Sequence, residues 1–422
     1  MNPYLQLGTR NSEYRRDLPV SFSVADRRRH MAVIGRTGVG KSTLLANLFA
    51  QDANDGRGVA LIDPHGDLAH LALDLIPPRR IRKTVYFNPA DMAHPIGFNP
   101  LENVPPDQRA ARAADIVAAF RAIWGASWGP RLEYILYETI AALLEMPSAT
   151  LLGVPRMLVN ERYRERVVAR ISDVMVRAYW EEEHASYTKS FAGEAISPIL
   201  NKIGQVLAAP AVRNILGQPN STIHPRHLMD RNYIVVANLA KGLLGAQHAN
   251  LLGALFIASF GSAAMSRADL PEHDRKDFSL IVDEFHNYTT DALPSLLSEA
   301  RKYRLSFVLA NQYLSQLTDS IRSGLLGTVG SLIAFRVGAE DASVIARELS
   351  PIREDALTDT PNFEAWARLL SGGAPSERFL LATYDAPAPH GRRDVVIAQS
   401  RRSFSRERAQ VEARIARFMR NL

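Results

Sequence analysis

The chain has no cysteine among its 422 residues. That excludes disulfides, thiolate metal sites and cysteine nucleophiles, and it fits a reducing compartment. Long hydrophobic runs are missing too. The most apolar stretch, Ala249–Met265, is slightly short for a membrane span and reads as a buried helix. The opening MNPYLQLGTRNSEYRR is polar and charged, unlike a secretory signal, which predicts a cytoplasmic protein with no integral membrane segment. There is no internal repeat and no low-complexity tract. Acidic residues are scarce at the carboxyl end. From Arg392 to Leu422 nine arginines face Asp394, Glu407 and Glu412, an excess as large as the +6 of the whole chain. Such a tail suits an anionic partner such as nucleic acid, or forms a solvated, arginine-rich helix.

What is there is enough for more than one ordinary core. Residues 1–30 are a polar N-terminal segment with one strand-like stretch, Val20–Ala25. Residues 31–104 hold buried strands at HMAVIG, GVALID and TVYFNP, with a helix from Lys41. Residues 105–230 read as helix after helix, without a convincing strand, and so as an all-α insertion. Residues 231–390 return to strands at NYIVVANL, FSLIVDE, LSFVLANQ and SLIAFRV, with FEAWARLL and RFLLATY as late ones. Residues 391–422 read as one basic terminal helix. Strand–helix alternation of this kind predicts an α/β fold with a mostly parallel sheet.

GRTGVGKST fits the phosphate-loop pattern at Gly35, Gly40, Lys41 and Ser42. The loop from Gly35 through Thr37, Gly38 and Val39 to Thr43 is expected to wrap the phosphates of ATP with backbone N–H groups. Lys41 would reach the β- and γ-phosphates, and the Ser42 hydroxyl would join a Mg²⁺ shell. SLIVDEFHNY supplies the second acidic site. Asp283 would hold Mg²⁺ through water and Glu284 would orient the attacking water, which favours ATP hydrolysis over a GTPase switch. VLANQ puts Gln312 at the end of a strand, where it can sense the γ-phosphate. Arg301, Lys302 and Arg304 lie upstream. They are either an arginine finger for a neighbouring copy or a basic helix end that complements the dipole.

HMAVIGRTGVGKSTLL, GVALIDPHGDL, FNPL, IVDEFHNY, LSEARKYRLSFVLANQYLSQL and VGAEDA together resemble the HerA–FtsK superfamily, and within it the TraG/TraD-like coupling ATPases of conjugation and type IV secretion. The resemblance spans Met31 to Asp341. It implies a RecA-like motor formed by 31–104 and 231–390, a hexameric ring around DNA, and sites shared between copies. Lys41 and Ser42 become the Walker A pair, Asp283 and Glu284 the Walker B pair, Gln312 the sensor and Arg301 the finger. It also implies a DNA-translocating ATPase, with a relaxase, a secretion channel or a nuclease as possible partners. A helicase feeding a nuclease in repair or defence, or an ATP-gated assembly switch, is the alternative. The chain departs from membrane-anchored coupling proteins in having no amino-terminal span. Asp63 is expected on the strand next to the P-loop strand, close to the Mg²⁺ water network. His65 or Asp67 would link the nucleotide to a neighbour, with Asp67 capping the following helix. Residues Asn287–Pro294 are candidate channel loops. Three features read as structural: His65, His70, His224 and His227 as turn residues, Trp124 and Trp128 as a core corner, and Arg27–Arg29 as a solvated turn.

Overall fold

The computed structural model describes residues 2–10 and 17–420. Residues 11–16 of the N-terminal segment and the last two of the basic tail lie outside the described residues. The chain forms two compact units. One holds residues 1–87, 225–239 and 263–400; the other holds 88–224, 240–262 and 401–422.

The first unit is built on a sheet of eleven strands. They are β1 (Tyr4–Arg10), β2 (Leu18–Ser23), β3 (Met31–Ile34), β4 (Gly58–Asp63), β5 (Thr84–Phe87), β6 (Ile234–Asn238), β7 (Phe278–Val282), β8 (Leu305–Asn311), β9 (Ser331–Ala334), β10 (Glu364–Arg368) and, after a two-residue hairpin of β11 (Leu370–Ser371) and β12 (Ala374–Pro375), β13 (Phe379–Thr383). The order is β2-β1-β13-β10-β9-β3-β8-β7-β4-β6-β5. From β9 to β5 every pair is parallel. From β9 to β2 every pair is antiparallel. The central strands are wholly buried, which is why they read as unbroken Val, Ile, Leu and Ala rather than alternating. Two expectations are corrected. β4 is not next to β3, because β8 and β7 lie between them. The N-terminal segment holds a hairpin of two strands, not one.

Arg27 and Arg28 are not a solvated turn. Arg27 is 2% exposed and grips Asp52, itself fully buried, with two hydrogen bonds of 2.8 and 3.0 Å. Arg57 Nε adds a third to the same carboxylate at 2.5 Å. Arg28 pairs with Asp277 at 2.6 Å; Arg29 alone of the three is exposed. The next residue, His30, is buried. Its Nδ1 accepts from the Phe307 N–H at 3.0 Å and its Nε2 lies 2.6 Å from the Leu297 carbonyl, which fixes the tautomer. Burial above all, with Arg301 nearby, pushes its pKa down to about 4. The unfolded imidazole takes a proton near pH 6.5 and the folded one does not. His30 therefore stabilises the fold above pH 6.5, and this stabilisation is lost as pH falls from 6.5 through 4. Its ring resonances are expected to stay unmoved between pH 7.5 and 5.5 in an NMR titration; a midpoint near 6.5 would refute the burial argument.

The second unit is helical, with long members at Arg109–Trp124, Pro130–Leu144 and Ala246–Met265. It is not a single insertion, since 240–262 and 401–422 belong to it as well. The helix at Ala246, with its continuation to Asp269, is long and apolar enough to cross a membrane, contrary to the sequence expectation; 72% of its apolar window is buried. Trp124 and Trp128 stack 6.1 Å apart and are half-buried. The basic tail forms two helices, Arg393–Phe404 and Arg408–Arg420, rather than one. The break lies where Ser405 bridges to Ile96. Much of its charge is engaged: Arg401 with Asp91, Arg406 with Gln218 and Arg408 with Glu412. Arg402, Arg414, Arg417 and Arg420 are exposed.

Candidate active site

The site lies at the carboxyl edge of the parallel strands, the edge where open α/β sheets bind ligands. β3 runs into the loop 35–40, and the helix Lys41–Asp55 leaves it. Gly38 and Gly40 have φ of 79° and 115°. At Gly40 a side chain would strain that backbone, and its Cβ would press on the Phe363 and Phe335 rings at 3.1 and 3.2 Å. Lys41 is buried and its Nζ donates to the carbonyls of Gly35 at 2.6 Å and Arg36 at 2.9 Å, bracing the loop. Burial lowers its pKa, while Glu284 and Asp283 pull it back up. Thr37, Gly38 and Ser42 are exposed, Thr43 is half-buried and Val39 is fully buried under the loop.

β7 delivers Asp283 and Glu284 to the same edge. Asp283 is anchored through its N–H to the Ile62 carbonyl at 3.0 Å. Its pKa is pushed up to about 7, first by burial, then by the charges of Glu284 and Asp63, with Lys41 opposing. A buried carboxylate with acidic neighbours gains most from a divalent cation, so this pair fits Mg²⁺. Among the described residues no group of three His, Cys, Asp or Glu side chains is arranged to hold a metal alone. Mg²⁺ commonly binds through one or two carboxylates plus substrate phosphates, so the donor set here suits a magnesium nucleotide.

Glu284 is buried and sits in the left-handed region, φ 45° and ψ 50°, a costly conformation for a non-glycine residue and one that gathers at functional sites. Its Oε2 lies 3.5 Å from His286 Nδ1. The same nitrogen is 2.7 Å from Asn311 Oδ1, and Asn311 is completely buried at the end of β8. Tyr288 is buried as well, its hydroxyl without a hydrogen-bond partner among the described residues. Burial above all, then the charges of Asp63, Asp283 and Glu284, raises its pKa far above the usual phenol value. His286, Asn311 and Tyr288 were missed in the sequence. The signal was there in DEFHNY and LANQ, where polar residues follow apolar strands.

Residues 6–243 match the family described as "Helicase HerA, central domain". The chain belongs to that family. It is a P-loop ATPase of the HerA kind, and no curated protein matches it. Among solved structures it is similar to the plasmid coupling protein TrwB in complex with ADP and Mg²⁺, at 15% identity and a TM-score of 0.64 over 93% of this chain and 97% of that one. The unbound bacterial conjugative coupling protein TrwBdeltaN70 gives 15% and 0.63 over 88% and 89%. VirB4 of Thermoanaerobacter pseudethanolicus gives 14% and 0.58 over 92% and 98%. At such identities the likeness establishes a common RecA-like fold.

The remaining expected residues of this HerA-family ATPase divide between the two edges of the sheet. Asp63 ends β4 at the carboxyl edge, but its carboxylate accepts from the N–H groups of His65, Gly66 and Ala69 at 2.8, 2.9 and 2.8 Å. It therefore caps the helix Asp67–Asp74 itself, the task expected of Asp67, which is exposed, as is His65. Asp63 also acts on the site through its charge on Asp283. Gln312 lies just past β8, half-buried at the same edge. Arg301 and Arg304 do not join them. They precede β8 at the amino edge, where Arg301 is exposed and Arg304 donates to the Arg275 carbonyl at 2.9 Å.

Proposed function

We propose that the protein is a DNA-translocating motor of coupling-protein type, a cytoplasmic ring, most simply a hexamer, driven by ATP hydrolysis at sites shared between copies. One observation carries this reading. Lys41, Asp283 and Glu284 share one edge of the sheet, while Arg301 stands exposed at the other. β8 separates the edges by seven residues, about 23 Å at strand spacing. A cation placed there does not serve its own copy and suits the next one.

ATP bound with Mg²⁺ supplies the phosphoanhydride that is cleaved. Residues 35–43 hold its phosphates by backbone N–H groups, and Lys41 offsets charge on the β- and γ-oxygens. Ser42 and Asp283 would hold the cation. Glu284 would polarise the attacking water and take its proton, with Gln312, which follows the neighbouring strand β8, as sensor. Arg301 is preferred to Arg304 as the finger, because the Arg304 guanidinium is already tied to its own chain. Asn287–Pro294, which would line the channel, and, separately, the exposed tail arginines are each offered to DNA phosphates, contacts that ignore sequence and weaken with salt.

The shared site is tested by mixing. Lys41→Ala and Arg301→Ala are each expected to abolish turnover, and mixed preparations to recover part of it, since some junctions pair an intact Lys41 with an intact Arg301. No recovery at any ratio would refute the shared site. Absence of stimulation by either single- or double-stranded DNA would refute the translocase.

A further inference from the structure

A triphosphate held at 35–43 has two ends. The γ end faces Asp283 and Glu284, which leave β7, two strands from β3 on one side. The nucleoside end would then extend to the other side of β3, where β9, β10 and β13 lie. β10 runs antiparallel to β9, so its start lies at the carboxyl edge; β13 runs antiparallel to β10, so its end lies there too. Phe363 immediately precedes β10 and Tyr384 immediately follows β13. Both are exposed aromatics, 49% and 38%.

Both are also fastened to the phosphate loop and its helix. The Phe363 N–H donates to the Val39 carbonyl at 2.8 Å, and its carbonyl accepts from the Thr383 N–H and hydroxyl, each at 2.9 Å. The Asn47 side chain, in the second turn of the P-loop helix, donates to the carbonyls of Thr43, Tyr384 and Asp385. Phe363 has φ 64°, a region where a bulky side chain is a genuine outlier. Burial compensates for it only in part, because the residue is 49% exposed. Glycine would satisfy the backbone better, so the ring itself needs a reason.

We infer that Phe363 is the platform on which the nucleotide's base stacks, with Tyr384 as the rim of the same subsite. This rests on the reading that ATP binds at the P-loop and adds where its base goes. Stacking accepts any base, since every base has a π-face, so the subsite favours a nucleoside over a bare polyphosphate without selecting adenine sharply.

The test is calorimetric binding of ADP and of pyrophosphate, each with Mg²⁺, to wild type, Phe363→Ala, Phe363→Gly and Phe363→Trp. ADP affinity is expected to fall about 5- to 150-fold in the alanine and glycine variants, while Phe363→Trp retains it and pyrophosphate affinity stays within twofold in all. Phe363→Gly should melt at or above wild type, which separates lost stacking from lost folding. Unchanged ADP affinity in Phe363→Ala would overturn the inference. So would an equal loss for pyrophosphate, which would make Phe363 a brace for the loop. Wild type that binds neither ligand would instead refute the P-loop reading beneath it.

Discussion

Glu284→Gln is expected to lower ATP turnover by about 10²- to 10⁴-fold, the usual contribution of a positioned general base, with ADP affinity nearly unchanged. The substitution keeps the volume of the side chain, so the buried pocket and the left-handed backbone at φ 45° are preserved. It removes the negative charge and the ability to take a proton from water. It also relieves Asp283, whose carboxyl is held up to about 7 by burial and then by Glu284. Mg²⁺ affinity should therefore change little or fall modestly. Single-turnover hydrolysis read beside ADP binding separates chemistry from binding. A loss below tenfold would move the water-orienting role from Glu284 to Gln312 or to the His286–Asn311 pair.

Asp52→Ala is expected to destabilise the protein by about 3–5 kcal/mol, the cost of leaving a buried charge without its partner. Asp52 is fully buried, and Arg27 and Arg57 beside it are 2% and 3% exposed. Removing the carboxylate strands the Arg27 guanidinium, while Arg57 loses one of its two acidic partners and keeps Asp55 at 2.8 Å. Water has little access to this cluster, so screening gives little relief. Urea denaturation with an unchanged slope reads the effect directly. A loss under 1 kcal/mol would mean that the arginines reach solvent when the carboxylate goes. Combining Asp52→Leu with Arg27→Met and Arg57→Leu should recover much of the loss, since well-packed apolar groups often replace buried ion pairs at no net cost.

The phosphate loop and the acidic strand end were legible because each is a local pattern whose spacing is fixed by chemistry: glycines where the backbone must curl, apolar residues where the strand is buried, carboxylates where it ends. The cap at Asp63 was not. Spacing put Asp67 at the helix start, yet Gly66, with φ 100°, turns the chain back so that the new helix offers its N–H groups to the residue ending β4. Arg27 failed for a related reason. Three successive arginines look solvated, and the partner that buries the first lies 25 residues away on another element. The helical unit was read as one insertion because sequence shows contiguity, whereas residues 240–262 and 401–422 join it by packing alone. Strand order was equally hidden: nothing local in GVALID tells that two strands supplied by residues 278–311 part it from HMAVIG.

The placement of Arg301 and Glu284 on opposite edges of one sheet has a geometric consequence for assembly. If each copy lends its guanidinium to the next, the contact is head-to-tail and never self-complementary, so a two-fold dimer does not satisfy it. In such an assembly every copy would keep one unsatisfied face until the rotation per step brought the last back to the first. Small changes in that rotation would alter the number of copies, or open the circle into a helical filament, without touching any residue of the chemistry.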